Sequence, residues 1–328
     1  MRKTVLRLSL GLGIVLFAFV VWRSGPQKIL ADLARLTWRQ IAVLMALRAG
    51  YWLLRTFNWK QIYDQYETKK PFLRLFEARL ADNAVSFLTP SAMLGGLPVR
   101  ALLLEGVDRR RVFASVVLDK TIEGVTLAAF TVAAMLAAVV FLPLSGAARL
   151  VFGVFVVAAA AFCVAIVAGQ RKGLFVGLLD FLARIGIRWR RLEAKRESLG
   201  VVDTALAGFY RDHRALIPRV ASLYTLTYLI WAAEIHITLH FLGAPGLTFV
   251  KSLLVISLGN VAFVLPGIPA SLGVYELTNV GVFKALGWTA GTAIALSVVR
   301  RLLALVWTTL GLLVLYWRPR RAGANRAA

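Results

Sequence analysis

The chain has 328 residues, 59% of them apolar, with a formal net charge of +23; its mean hydropathy is +0.73. Soluble proteins run at about 45–50% apolar, and several runs here reach the ~20 residues a bilayer crossing needs. A soluble fold is therefore excluded and a polytopic all-α membrane protein is predicted. The charge lies in segments between the apolar runs, the pattern of cytoplasmic loops facing an anionic leaflet, which excludes nucleic acid as the partner.

In chain order, the first apolar run covers residues 5–22, after Arg2 and Lys3. It lacks a small-residue cleavage site before Arg23 and reads as an uncleaved first span. A second span covers residues 38–63 and carries Arg48 and Arg55. A basic segment with Lys69, Lys70, Arg74 and Arg79 follows, and residues 72–105 form a broken apolar stretch. Arg109, Arg110 and Arg111 precede a third span at 112–142, and a tight turn leads to a fourth at 148–168. Residues 170–215 are the one long polar segment. In it Leu174, Phe175, Leu178, Leu179, Leu182 and Ile185 recur at helical spacing. They predict an amphipathic helix, lying in the membrane interface or packed on the bundle. A fifth span at 216–242, a second broken stretch at 249–286, a sixth span at 288–317 and a basic tail complete the chain. Cys163 is the sole cysteine and has no intrachain disulfide partner.

All the basic segments face the cytoplasm only if each broken stretch enters and leaves the membrane on one side. The pattern thus predicts one membrane domain over residues 1–328, with six full spans, two re-entrant broken-helix hairpins and both termini cytoplasmic. Counting hairpin arms as spans raises the number to seven or eight.

The broken stretches echo each other. Asn83 lies seven residues before Pro90, and Asn260 six before Pro266. Leu94-Gly95 follows the first proline and Leu272-Gly273 the second. The run from Ser115 to Lys120 resembles that from Ser297 to Arg301. Residues 38–142 and 216–317 therefore read as two repeats, and the charge pattern gives them opposite orientation. Paired broken elements in inverted repeats mark transporters with a site at the bilayer midplane.

A broken helix presents unsatisfied N–H groups at the start of its second half, and these bind anions. Gly95, Gly96 and Gly273 stand at those starts, beside the breaks at Pro90 and at Pro266-Gly267. Asp82 and Asn83 open the first broken stretch, where an amide can satisfy freed backbone groups, and Asn260 in the second reads as buried. Ionisable residues at membrane depth are costly and point to function. Here they are Arg100, Asp119, Lys120, Glu123, Glu276, Arg300 and Arg301. Adjacent helical residues point about 100° apart, so one of Arg300 and Arg301 is expected to face the site while the other pairs structurally. Arg100 and Glu276 are expected to face a cavity from opposite hairpins, or to lock the bundle as a salt bridge. Asp119 and Glu123 share a face, to pair with arginines or relay protons. His236 and His240 also share a face, but Glu234 is off it, so hydrogen bonding within the bundle is expected, with no metal and no cofactor. The motifs of nucleophile elbows, Walker loops and dinucleotide turns are absent, and catalysis is not expected.

The run from Asn83 to Ala101, the SVVLDK at Ser115–Lys120 and the late segment from Pro266 to Glu276 resemble the lysylphosphatidylglycerol synthase transmembrane family. The resemblance covers nearly the whole chain. In well-known members this flippase-like domain is thought to translocate an aminoacylated phospholipid made by a separate soluble domain. The residues read here are not expected to include that soluble domain, so lipid synthesis is not implied. The chain departs from the usual Pro-Gly-Gly-x-Gly form, with Pro269 as an extra proline. The resemblance implies a translocase of a phospholipid, polyprenyl-linked or other glycolipid with an anionic head in the bacterial inner membrane, its partners being membrane lipids. The alternatives are a non-catalytic anchor for a lipid-modifying or glycosyltransferase enzyme, docking through residues 170–215, and an integral membrane transferase.

Overall fold

The computed structural model describes residues 36–89, 95–142, 146–185, 196–260 and 271–324, with three isolated positions before residue 36. The predicted first span and the prolines Pro90 and Pro266 lie outside the described residues. Among those described there are eleven α-helices and no strand.

Helix α1 (Trp38–Tyr63) begins at Thr37, whose hydroxyl accepts from Gln40 N while the Gln40 side chain accepts from Thr37 N. Two orphan donors are thereby satisfied at once. The first broken stretch is α2 (Phe72–Leu88) followed by the short α3 (Leu97–Leu103), with Pro98 in the opening turn of α3, where a missing N–H costs nothing. Helix α4 (Arg109–Phe141) is capped by Asp108, which accepts from Arg110 N at 2.8 Å. Then come α5 (Gly146–Lys172), α6 (Leu174–Arg184), α7 (Arg196–Asp212) and α8 (Leu216–Phe241). The second broken stretch is α9 (Phe249–Gly259) with α10 (Val274–Ala285), and α11 (Ala290–Ala324) is the last helix.

Among the described residues, four helical segments are long and apolar enough to cross a membrane: Arg109–Phe141, Arg149–Lys172, Leu216–Phe241 and Ala290–Trp317. They correspond to predicted spans three to six. Helix α1 matches predicted span two and reaches about 39 Å at 1.5 Å per residue. It is less apolar because it carries Arg39, Arg48, Arg55 and Lys60. Helix α5 turns Leu150, Val151, Val154, Val157, Phe162 and Val164 outward, a surface suited to lipid and not to water.

Helices α1 and α8 pack against each other and run antiparallel. Arg48 bridges to Glu234, Tyr51 meets Trp231 at 5.4 Å, and Ile62 clusters with Val220 and Tyr224. Around this pair the packing is matched under exchange of α1, α2, α3 and α4 with α8, α9, α10 and α11. Helix α2 packs on α11, as α9 does on α4. Helix α1 packs on α2 and α4, as α8 does on α9 and α11. Helix α3 packs on α2 and α4, as α10 does on α9 and α11. Where α2 meets α11 the backbones nearly touch: a Cβ on Gly311 would lie 2.1 Å from the Leu80 carbonyl oxygen.

Outside this matched set, α6 folds back on α7. Gly173 makes the turn from α5 into α6 at φ +92°, a conformation a side chain resists. Asp203 accepts from Phe175 N at 3.1 Å and Val176 N at 2.8 Å, capping α6 from a neighbouring helix. The amphipathic stretch packs on the bundle by one face. Leu179 and Phe175 pack inward, while Leu178, Phe181 and Ile185 stay exposed. Tyr210 donates to Gln170 at 2.8 Å, and burial pushes its phenol up to about 12.

Candidate functional site

The most charged part of the interior lies where hairpin α2–α3 meets α1, α4 and α8. Helix α4 brings Asp119, which is fully buried. One of its oxygens accepts from Arg79 at 2.6 Å and from Arg100 at 2.7 Å, and the other accepts from Tyr224 on α8. Arg100 also donates to Asp82. Asp82 in turn accepts from Ser86 at 3.0 Å, and Ser86 accepts from Gly96 N at 2.9 Å, which ties the two hairpin arms together. One helical turn along α4, Glu123 accepts from Arg55, with Lys120 at 3.5 Å. The Trp59 ring underlies both guanidiniums, at 5.0 Å from Arg100 and 5.8 Å from Arg79.

A small cleft, open on one side, adjoins this network. Arg55, Arg79, Asp82, Asn83, Arg100 and Lys120 line it. Around it stand four cations (Arg55, Arg79, Arg100, Lys120) and three carboxylates (Asp82, Asp119, Glu123), an excess of one positive charge. Arg79 is 1% exposed, yet its Nε and Nη1 have no hydrogen-bond partner among the described residues. Buried N–H groups are almost always paired, so two free donors on one guanidinium beside a cleft form a ready receptor for an acceptor-rich anion.

The second hairpin carries a different arrangement. Glu276 is fully buried and accepts from Arg301 Nε at 2.6 Å and Nη2 at 2.9 Å. It also accepts from Gly273 N at 2.8 Å, closing the N-terminus of α10. Arg100 in α3 bonds Asp119 in α4, and Glu276 in α10 bonds Arg301 in α11, so matched helices carry a bridge with its sign reversed. Among the described residues Arg300 takes no carboxylate. It donates to the Tyr275 hydroxyl and lies over the Trp231 ring at 4.8 Å.

Comparison with known proteins decides the family. The sequence profile of the lysylphosphatidylglycerol synthase TM region matches residues 5–311. The chain belongs to this family. Its similar relatives include a UPF0104 membrane protein of Pyrococcus horikoshii, 22% identical over 326 residues, with 93% of this chain and 95% of that protein covered. A UPF0104 membrane protein of Methanothermobacter thermautotrophicus is 26% identical over 326 residues, covering 94% of this chain and 91% of the relative. A second from that organism is 26% identical over 311 residues, covering 89% of each. No solved structure matches the chain.

Within this family fold, several expected site residues gather at the cleft: Asn83, Arg100 and Lys120 line it, and Asp119 and Glu123 stand behind. Others do not. Glu276 and Arg301 pair with each other, away from the cleft lining, and Arg100 does not meet Glu276. The expected hairpin N–H donors are also taken. Gly96 N is used by Ser86, and a Cβ on Gly96 would lie 2.0 Å from the Asp82 carbonyl oxygen, so this glycine admits the neighbouring arm and not a ligand. Gly273 N is used by Glu276. Asn260 ends α9 with its Nδ2 buried and unpartnered among the described residues. Pro90, Pro266 and Gly267 lie outside the described residues. His236 bonds Ser252 at 3.0 Å, as expected of a bundle histidine.

Arg79 is the main correction. Counted with the cytoplasmic basic segment, it is instead among the most buried side chains of the protein. Helix phase carried the missing signal: Arg79 lies three residues before Asp82, on the same face of α2. Arg48 and Arg55 were visible as charges in a span, but their partners Glu234 and Glu123 are 186 and 68 residues away and no local pattern links them.

Proposed function

We propose that this protein moves an amphiphile with an anionic, phosphate-bearing head across the membrane. The head passes through the polar interior while the tail stays in lipid. One observation carries the reading. Among the described residues, the interior around the two hairpins holds five buried cations (Arg48, Arg55, Arg79, Arg100, Arg300) and five buried carboxylates (Asp82, Asp119, Glu123, Glu234, Glu276), and the partly buried Lys120 and Arg301 add two positive charges at its edge. The intervening residues 90–94 and 261–270 carry no ionisable side chain, so they do not make up the difference. Uncompensated charge at membrane depth costs several kcal/mol per ion, and an anionic ligand removes that cost.

The packing supports the transport class. The exchange that matches the two sets of helices relates α1 to α8, which are antiparallel. The axis of such an exchange runs across those helices, within the bilayer plane, as in inverted repeats. In this reading both termini lie on the cytoplasmic face of a bacterial inner membrane, which the placement of the basic segments supports.

The test is flipping in reconstituted vesicles, read by the fraction of a head-labelled fluorescent lipid reached by an external reductant. Anionic phosphatidylglycerol is expected to equilibrate faster than in protein-free vesicles and faster than phosphatidylcholine. Arg79→Gln is expected to slow it by about tenfold or more, the worth of one charged hydrogen bond or two. Rates equal to those of protein-free vesicles for every anionic lipid would sink the proposal.

A further inference from the structure

Among the unpaired buried polar atoms of the described residues, which include others at Asn58, Gln61, Ser257, Asn260, Asn279, Trp307 and Thr308, six donors belong to side chains in mutual contact. Beginning at the cleft, Arg79 leaves Nε and Nη1 without partners, and Arg55 and Trp52 each leave a side-chain donor free, their Nε and Nε1. Next along α1, Arg48 leaves its Nε free, and across from it on α8 so does the Nε1 of Trp231. All six are buried donor atoms, unpartnered among the described residues, and none of these groups accepts a hydrogen bond.

Ring contacts join them into a row. Arg55 lies 5.2 Å from the Tyr51 and Trp52 ring centres. Arg48 lies 5.5 Å from Tyr51 and 5.9 Å from Trp231. Arg300 then lies 4.8 Å from Trp231 and 5.2 Å from Tyr275. The row thus leads from the cleft at the first hairpin to Arg300 beside the second. Arg300 is 8% exposed, and among the described residues no carboxylate lies within ion-pair distance of it.

Such a row lacks one thing, an acceptor. Water at each donor would satisfy the hydrogen bonds but leave Arg300 without a counterion. A phosphate group supplies several oxygens and negative charge together, and guanidinium and indole N–H groups donate to it without competing for it. We propose that Arg300, with Trp231 and Arg48, forms a second phosphate subsite, and that the donor row links it to the Arg79 cleft. The inference rests on the transport reading and names the chemistry of its path: a lipid phosphate is handed from one hairpin's arginines to the other's across the α1–α8 crossing. The carboxylates Asp82, Asp119, Glu123 and Glu234 flank the row and hold its arginines in place.

The experiment is a binding titration of the purified full chain in detergent, with dihexanoyl phosphatidic acid as the probe. Dihexanoyl phosphatidylcholine and inorganic phosphate are titrated alongside. Two equivalents of phosphatidic acid are expected. Arg79→Gln should remove one and Arg300→Gln the other, each weakened about tenfold or more. Trp231→Phe keeps the ring and removes only the donor, so it serves where Arg300→Gln does not fold, and it should weaken the same equivalent as Arg300→Gln. Two undiminished equivalents in both Arg300→Gln and Trp231→Phe overturn the subsite. A single wild-type equivalent, lost in Arg79→Gln alone, also overturns it while leaving the transport reading intact. Inorganic phosphate binding as tightly as phosphatidic acid overturns the lipid-head assignment. Absence of phosphatidic acid binding overturns the subsite, and the flipping assay then decides the transport reading separately.

Discussion

Asp119→Asn is the sharpest single perturbation of the interior. The carboxylate is fully buried and accepts from Arg79, Arg100 and Tyr224. Three bonds to a charged acceptor, at about 1.5–3 kcal/mol each, set an upper bound of roughly 5–9 kcal/mol. The amide oxygen of Asn keeps part of this, while its NH2 group faces donors. The expected loss is therefore about 3–5 kcal/mol, the usual cost of stripping one partner from a buried ion pair. That is a large share of the ~5–15 kcal/mol that holds a typical protein folded. Equilibrium unfolding in mixed micelles measures it.

The same change removes one of the three carboxylates around the cleft and leaves its four cations. Binding of an anionic probe is therefore expected to tighten while stability falls. In a double-mutant cycle, Arg79→Gln in the Asp119→Asn background should cost at least ~1.5 kcal/mol less than in the wild type, because the cation it removes is already unpaired. A stability loss under ~0.5 kcal/mol, within the range of ordinary surface changes, would refute the reasoning. So would weaker anion binding in Asp119→Asn.

Two glycines give backbone tests. Gly96→Ala would bring a methyl group to 2.0 Å from the Asp82 carbonyl oxygen and 2.3 Å from its Oδ1, so the hairpin arms must part and the cleft must change shape. A loss of about 1–3 kcal/mol and reduced flipping are expected, read by thermal unfolding and the vesicle assay. Gly311→Ala meets the Leu80 carbonyl oxygen at 2.1 Å and the Ala84 Cβ at 2.9 Å. It should destabilise by a similar ~1–3 kcal/mol through the α2–α11 contact, and because Leu80 lies between Arg79 and Asp82 on α2, anion binding should weaken with it.

Much of the helical frame was legible in the sequence because the bilayer imposes length and hydrophobicity on each span. Predicted span two, residues 38–63, coincides with α1, and the breaks fall between α2 and α3 and between α9 and α10, where prolines and glycines interrupt the apolar runs. The family resemblance rested on those same broken runs, and the match over residues 5–311 bears it out. The site was legible in part. Asn83, Arg100, Asp119, Lys120 and Glu123 could be singled out as polar groups in apolar surroundings. Arg79 could not be found by counting charge along the chain, because Lys69, Lys70 and Arg74 precede it and its burial depends on helix phase and on Asp119 in another helix. The role of the glycines was hidden for a related reason. Whether a glycine opens the backbone to a ligand or to another helix depends on what packs there, and at Gly96 it is Asp82.

The reversed bridge of the second hairpin separates structure from transport. Glu276→Arg places two cations face to face and removes the acceptor for Gly273 N, and Arg301→Glu places two carboxylates together. Each single change is expected to cost about 3–5 kcal/mol. The double change restores an ion pair with its sign reversed. It does not restore the cap, since arginine accepts no hydrogen bond, so a residual loss of about 1 kcal/mol should remain. If the pair serves to hold α10 on α11, flipping should recover together with stability. Arg301 would then be the structural arginine of the adjacent pair and Arg300 the one that meets the head. A double variant as unstable as either single shows that the bridge is not what holds this hairpin. A double variant that folds but does not flip shows that the head reads the sign of residue 301, and the two arginines exchange roles.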